Sequence, residues 1–180
     1  MRDLKFHENK LLKKVNFKHY KRENQKDVVH IGKFGLSGKE EYSSYTKMIV
    51  QLKKLLKEIS DLDEKDPVKQ KLLSDLCEKL YNMGVIDLKA PSELVKIDAA
   101  SFCRRRANVM LVKLKFAEHL NQADTLLRHG HIRIGPQVIT DPALIISRKS
   151  QDLLTWVDSS AMRRKVAQYA GVLDDYDMAN

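Results

Sequence analysis

Apolar residues in the middle of this chain recur at intervals of three and four. Between Lys39 and about Asp61, Tyr45, Met48, Ile49, Leu52, Leu55, Leu56 and Ile59 form such a series, which predicts a long amphipathic helix. Asp66-Pro67 supplies a cap and a residue suited to the first helical position. Val68, Leu72, Leu76, Leu80 and Met83 carry the spacing on to Gly84. The two helices predict an antiparallel hairpin. Near residue 131 the period changes to two. His131-Ile132-Arg133-Ile134 predicts a strand with both isoleucines on one face and His131 and Arg133 on the other. Gly135-Pro136 turns the chain, Val138-Ile139 returns, and Leu153–Val157 reads as a last strand.

Two further helices fill the space before the first strand. Ser101 is the candidate cap of one, which carries Arg104, Arg105 and Arg106 and offers Val109, Val112, Leu114 and Phe116 for burial. Asn121 is the candidate cap of the other, with Ala123, Leu126 and Leu127 inward and Gly130 as its stop. Asp158 opens a final helix with Met162, Val166 and Tyr169 on one side and Arg163, Arg164 and Lys165 towards the other. The expected fold is α+β: a helical N-terminal part, then two helices with a short β-sheet, then a C-terminal helix.

The expected divisions are a basic extended arm at 1–36, the helical hairpin and a linker at 37–100, a compact module at 101–157, and a C-terminal helix with an acidic tail at 158–180. The arm has one short amphipathic segment near Asn9–Lys18 and otherwise reads as chain that orders on a partner. Residues 32–39 are glycine-rich, but their spacing does not fit a phosphate-cradling loop, and a hinge into the next helix is the expectation.

Charge sharpens this outline. The chain of 180 residues carries +9, and the excess is segregated. Residues 1–36 hold ten basic and four acidic side chains, residues 101–170 twelve and five, while 37–100 are nearly neutral. Two basic blocks around a neutral middle point to nucleic acid rather than to an anionic membrane. No apolar run approaches the roughly 20 residues that span a bilayer, and Met1-Arg2-Asp3-Leu4-Lys5 offers no signal core. Cys77 and Cys103 form no ligand pair and read as small buried hydrophobes. No nucleophile stands with a base and an orienting partner at a known spacing, so an enzyme is not expected. Neither cofactor, metal nor small-molecule substrate is called for.

Three consecutive arginines at a helix start would spread around its circumference, where they could not all be buried. Positive charge there also opposes the helix dipole, so an external anion should compensate. Arg128, His131 and Arg133 flank a glycine stop and suit phosphate. His129 suits it equally well, or could bond a carbonyl at the helix end. The module is poor in aromatics, and Phe102 and Phe116 look buried, so the expected recognition is of backbone and shape.

Arg105-Arg106-Ala107-Asn108, Phe116-Ala117 and His129-Gly130-His131 resemble, without a gap, the RNA-binding module of the small-subunit ribosomal protein S-four family. The family's Ser/Thr-Arg start of the second helix is replaced by His119-Leu120, and its hairpin tip by Ile134-Gly135-Pro136-Gln137. Leu4–Lys13, Ala100–Arg106 and Thr155–Ser160 extend the resemblance to the S-four-like nucleolar proteins of the U-three small nucleolar ribonucleoprotein. The resemblance implies RNA contacts at Arg104, Arg105, Arg106, Asn108, Lys113, Gln122, Arg128, His129, Gly130, His131 and Arg133. It also implies a place in the nucleolus and the small-subunit processome. There the partners would be U-three RNA and precursor ribosomal RNA, whose pairing is aided, beside the scaffold protein Mpp-ten. Two rival readings stay open: a protein–protein adaptor acting through helices 39–83, and a mature small-subunit ribosomal protein.

Overall fold

A computed structural model describes residues 2–14, 25–64 and 66–171. Two short helices open it, α1 (Phe6–Lys14) and α2 (Gln25–Phe34), followed by the long α3 (Lys39–Ser60) and α4 (Pro67–Met83). The predicted caps of α4 are both present. The Asp66 carboxylate accepts the Val68 amide at 2.9 Å, and Gly84 ends the helix with φ 78°. Lys69 closes the hairpin by donating to the carbonyls of Ser60 and Leu62. The buried stripes run through Tyr42, Tyr45, Ile49, Leu52, Leu56 and Ile59 on α3, and through Leu73, Leu76, Cys77 and Leu80 on α4. Met48, Leu55, Val68 and Leu72, expected inward, fall one step off these stripes and are exposed.

The end of the arm belongs to the core, contrary to expectation. Ile31 packs on it, and Phe34 and Leu36 are buried in it, because α2 lays its last turn against α3. His30 stacks between the rings of Phe34 and Tyr42. Gly32 is helical, so the hinge narrows to the turn at Gly35, where φ is 59°. A Cβ at Gly35 would stand 3.3 Å from the Asn108 amide nitrogen. The amphipathic segment at the front appears as α1; residues 15–18 and the acidic tail at 174–177 lie outside the described residues. The linker at 85–100 is also folded. It includes α5 (Pro91–Val95) and leads into α6 (Ala99–Cys103), with Leu94 and Ile97 buried in the same core as α3 and α4.

The second core belongs to the module. Helices α7 (Ala107–Lys113) and α8 (Leu120–Arg128) pack on a three-stranded antiparallel sheet of β1 (Ile132–Ile134), β2 (Gln137–Val138) and β3 (Leu154–Trp156), with β1 central. Strand β1 lies where the alternating pattern put it, β3 falls inside the expected 153–157, and β2 begins one residue before the expected Val138-Ile139. Ile132 is buried and Ile134 half-buried on the core face, while Arg133 pairs with Thr155 in register. A short α9 (Arg148–Gln151) was not anticipated; the Ser147 hydroxyl caps it by accepting the Ser150 amide. Helix α10 (Ala161–Tyr169) closes the described chain.

Three caps differ from expectation. Ser101 lies inside α6 and Asn121 inside α8, whose N-cap is His119, so neither side chain caps a helix. Helix α10 is capped by the Ser160 hydroxyl, which accepts the Met162 amide, and Asp158 instead engages arginines. Met162 packs on the second core, while Val166 and Tyr169 are exposed.

The role of the arm's end is measurable. Phe34→Ala should cost about 3–5 kcal/mol in urea-induced unfolding, the range for truncating a buried aromatic. Phe6→Ala, at an exposed site on α1, should stay within about 0.5 kcal/mol. Equal effects would place α2 outside the core.

Candidate nucleic-acid interface

The three adjacent arginines do not start a helix. Helix α6 ends at Cys103, the chain turns through Arg104 and Arg105, and Arg106 is extended before α7 begins. The corner is pinned to the loop ahead of α9. The Ala107 amide donates to the Leu144 carbonyl, and the Ile146 amide to the Arg105 carbonyl, each at 2.8 Å. A corner directs consecutive side chains differently from a helix, and here it sends two of the three guanidinium groups inward.

Arg105 is 6 % exposed; its Nε and Nη2 donate to the Ile146 carbonyl at 2.9 and 2.7 Å, and its Nη1 to the Gln151 side-chain carbonyl at 3.1 Å. Arg106 is 2 % exposed and forms an ion pair with Glu41 of α3, with a further bond to the Tyr45 hydroxyl at 3.2 Å. Fully buried Asn108 donates to the Phe34 carbonyl at 3.3 Å and accepts the Val109 amide at 2.8 Å. Burial pushes the pKa of both Arg105 and Arg106 down from the ordinary guanidinium value. Expected on the RNA-facing surface, Arg106 and Asn108 instead fasten the module to the helical body, while Arg105 fastens the corner to the loop and helix that follow it within the module. Gly84 takes part from the other side: a Cβ there would lie 2.6 Å from the Arg105 guanidinium carbon.

Arg104 points outward, onto the rim of a cleft of about 600 Å³ between the two bodies. Lys33 of α2, Lys113 of α7 and Arg148 of α9 share that rim, with Asp87 the single acid among the lining residues. Phe34, Val85, Val109, Val112 and Leu120 make an apolar floor. Arg148 is occupied: it donates to the carbonyls of Tyr81 and Ile86, reaches Asp87 at 3.3 Å, and lies 4.2 Å over the Tyr81 ring. Arg104 and Lys113 are exposed, and among the described residues no carboxylate pairs with either. Lys33 lies beside the Phe34 ring at 5.9 Å. Sequence reasoning missed Lys33 and Arg148, because the first sat in a presumed loop and the second opens a four-residue helix with no apolar period.

A second basic group stands at the far end of α8. The helix has nine residues, so its ends are about 13 Å apart, with Leu120 at the cleft and Arg128 at the opposite end. Arg128 and His129 are exposed, and cations are favoured at this end of the helix dipole. Gly130, with φ 69°, turns the chain into β1. The His129 ring meets that of His131 at 6.1 Å, and His131 shares a hydrogen bond of 2.9 Å with the Ser160 hydroxyl. Arg133 lies on the solvent side of the sheet as expected, but Thr155 and Asp158 hold it there, at 3.2 and 2.7 Å. Gln122 is exposed on the first turn of α8, where its side-chain carbonyl accepts the Glu118 amide. Among the described residues no group of three or more His, Cys, Asp or Glu could hold a metal, and no helix is long and apolar enough to cross a membrane.

Comparison with known proteins agrees with this two-part construction. Residues 3–101 match the family described as the ribosomal protein S4/S9 N-terminal domain, and residues 105–152 match the S4 domain. The break between them falls at the Arg104 corner. Among curated proteins the chain is 39% identical over 181 residues to the mouse U3 small nucleolar ribonucleoprotein protein IMP3, covering 99% of this chain and 98% of that protein. The human protein of the same name is 37% identical over the same shares, and that of Saccharomyces cerevisiae 35% identical over 99% of this chain and all of its own length.

Two outcomes follow for the buried arginines and their neighbours. Arg106→Ala should destabilise the protein by roughly 3–5 kcal/mol, because it leaves the Glu41 carboxylate without its counter-charge. Adding Glu41→Gln should recover part of that loss, and additive effects in urea unfolding would refute the coupling. Burial also pushes Tyr45 up to about 12 and Cys103 up to about 11. Both folded values exceed the unfolded ones, so the unfolded chain releases these protons first as pH rises. Stability from these groups is present below about pH 9 and is lost through pH 12. Tyr45→Phe should flatten the decline above pH 10, which urea titrations at stepped pH would detect.

Proposed function

Because this chain belongs to the family of the U3 small nucleolar ribonucleoprotein protein IMP3, we propose that it joins U-three small nucleolar RNA to precursor ribosomal RNA during small-subunit assembly. It is an RNA-binding ribosome biogenesis factor of α+β fold. On this reading it acts in the nucleolus, beside the Mpp-ten scaffold, and works by holding RNA rather than by catalysing a reaction.

The observation that carries the reading is the pair of cationic groups at the two ends of α8. Arg104 and Lys113 on the cleft rim are not consumed by any acidic neighbour among the described residues, and Arg128 and His129 crown the other end. Charges left unspent by the fold are the ones available to phosphate. Arg105 and Arg106 drop out of that set, and Lys33 enters it. Arg133 contributes less than expected, since it is already held by Asp158, which Arg163 shares, and by Thr155. A protein–protein adaptor would need neither an unpaired basic rim nor a second basic group at the far end of α8. The rival reading as a mature subunit protein has less support, because the near full-length resemblance is to ribonucleoprotein proteins named for U3.

The test is binding of a U-three RNA fragment across a salt series. Arg104→Glu/Lys113→Glu should weaken binding at 0.1 M salt, and should lower the slope of log affinity against log salt by about 1.4–1.8, two phosphate contacts' worth. Circular dichroism should stay unchanged, since both side chains are exposed. Wild-type affinity and slope in the double variant would remove this surface from RNA binding and favour the adaptor.

A further inference from the structure

The cleft at the Arg104 corner has two chemistries, and only one of them is explained by phosphate. Its rim is cationic, while its floor is the aliphatic surface of Val109, Val112 and Leu120 with Phe34 beneath. A surface that tracked only an RNA backbone would need the rim and not the floor. We propose that the cleft seats one unpaired nucleotide of the bound RNA, its base on the apolar floor and its phosphates against Lys33, Arg104 and Lys113. The proposal rests on the RNA-binding reading above and deepens it.

Size agrees with this occupant. About 600 Å³ lies in the middle of the range for small-molecule sites and suits one nucleotide rather than a base-paired strand. The floor meets the π-faces of a base, which are sequence-tolerant, and burying such a face against apolar groups favours binding. Polar edges have partners too. Ser101 brings a hydroxyl to the lining, and Gln151 commits its carbonyl oxygen to Arg105, which leaves its amide nitrogen as a donor. The one lining acid, Asp87, is engaged by Arg148, so the rim stays positive.

The continuation also favours RNA over an acidic peptide. The cleft opens at the N-terminal end of α8, and the second basic group stands at its C-terminal end, about 13 Å on. A strand whose displaced nucleotide enters the cleft can lay a later phosphate against Arg128, since α8 carries no cation between its two ends. The cleft walls come from both bodies, and the bonds of Arg106 to Glu41 and of Arg148 to the Tyr81 and Ile86 carbonyls hold those bodies in register. The site is therefore preformed.

The experiment uses the full chain and two hairpin RNAs that differ by a single unpaired uridine. Wild-type protein should bind the bulged hairpin roughly tenfold tighter than the paired one, the magnitude of one base contact. Ser101→Trp fills the cleft without changing charge, and should reduce that ratio to near one. With 4-thiouridine at the bulge, wild-type protein should cross-link at Val109, Val112 or Leu120. This second readout needs no variant, so misfolding of Ser101→Trp leaves the question answerable. Equal binding of the two hairpins by wild type would overturn the proposal. So would a bulge preference that survives in a folded Ser101→Trp, or cross-links confined to the Arg128–Arg133 end. Cleft protection by a glutamate-rich peptide but not by the bulged RNA would assign the cleft to protein instead. Weakened binding of the paired hairpin by Arg104→Glu/Lys113→Glu keeps the RNA-binding reading, whichever way the bulge comparison falls.

Discussion

A buried guanidinium holds this fold together. Arg106 sits at the start of the module with almost no solvent contact, and its charge is met by Glu41, sixty-five residues earlier on α3. An unpaired charge there would cost several kcal/mol, so the two bodies are coupled by necessity. Asn108 extends the coupling to the Phe34 carbonyl and Arg148 to those of Tyr81 and Ile86, while Arg105 braces the corner within the module on Ile146 and Gln151. Such pairs add little to stability compared with a well-packed apolar contact of equal volume. What they supply is direction, since a guanidinium fork satisfies its acceptors in one orientation only. The relative placement of the helical body and the module, and with it the shape of the cleft, follows from that fork.

Much of this architecture was legible because period and punctuation agreed. Asp66-Pro67 and Gly84 bounded α4 correctly, and the alternation at His131–Ile134 located β1 and its buried face. Other parts were hidden for physical reasons. A run of three arginines reads as surface by composition, and only tertiary contacts reveal two acceptor sets deep enough to bury two of them. The acceptors, Glu41 and the Ile146 carbonyl, lie 65 and 41 residues from their donors, beyond the reach of any local pattern. Caps failed where several candidates stood close together: Asp158 and Ser160 both suit a helix start, and the choice between them depends on Arg133 and Arg163 competing for Asp158. The end of the arm misled because α2 is short and basic. Its two apolar anchors, Phe34 and Leu36, are separated by the glycine that marks the turn.

The division of the basic residues into spent and unspent sets matters more to function than their number. Arg105 and Arg148 line the same cleft as Arg104 and Lys113, yet their donors, like those of Arg106 beside α3, are committed to oxygens within the protein. An RNA phosphate would have to displace an internal acceptor to reach them, and leave it buried without a donor. Arg104 and Lys113 carry no such penalty. The buried set still shapes recognition indirectly, by raising the potential of the cleft and by fixing where its free cations stand.

That division also bears on how such a protein tolerates change. On the function proposed above, substituting an exposed rim cation would alter affinity and salt dependence while leaving the fold intact. Substituting Arg106 removes the register between the bodies, and substituting Arg105 loosens the corner that carries Arg104, so the rim cations lose their common geometry even though none of them has changed. Gly84 belongs to the second class despite having no side chain, because any Cβ at that position would collide with the Arg105 guanidinium. Loss of RNA binding on mutating Arg105 or Arg106 would therefore report a displaced scaffold. Stability measured alongside affinity separates that case from loss of a contact, since only the scaffold residues move both together.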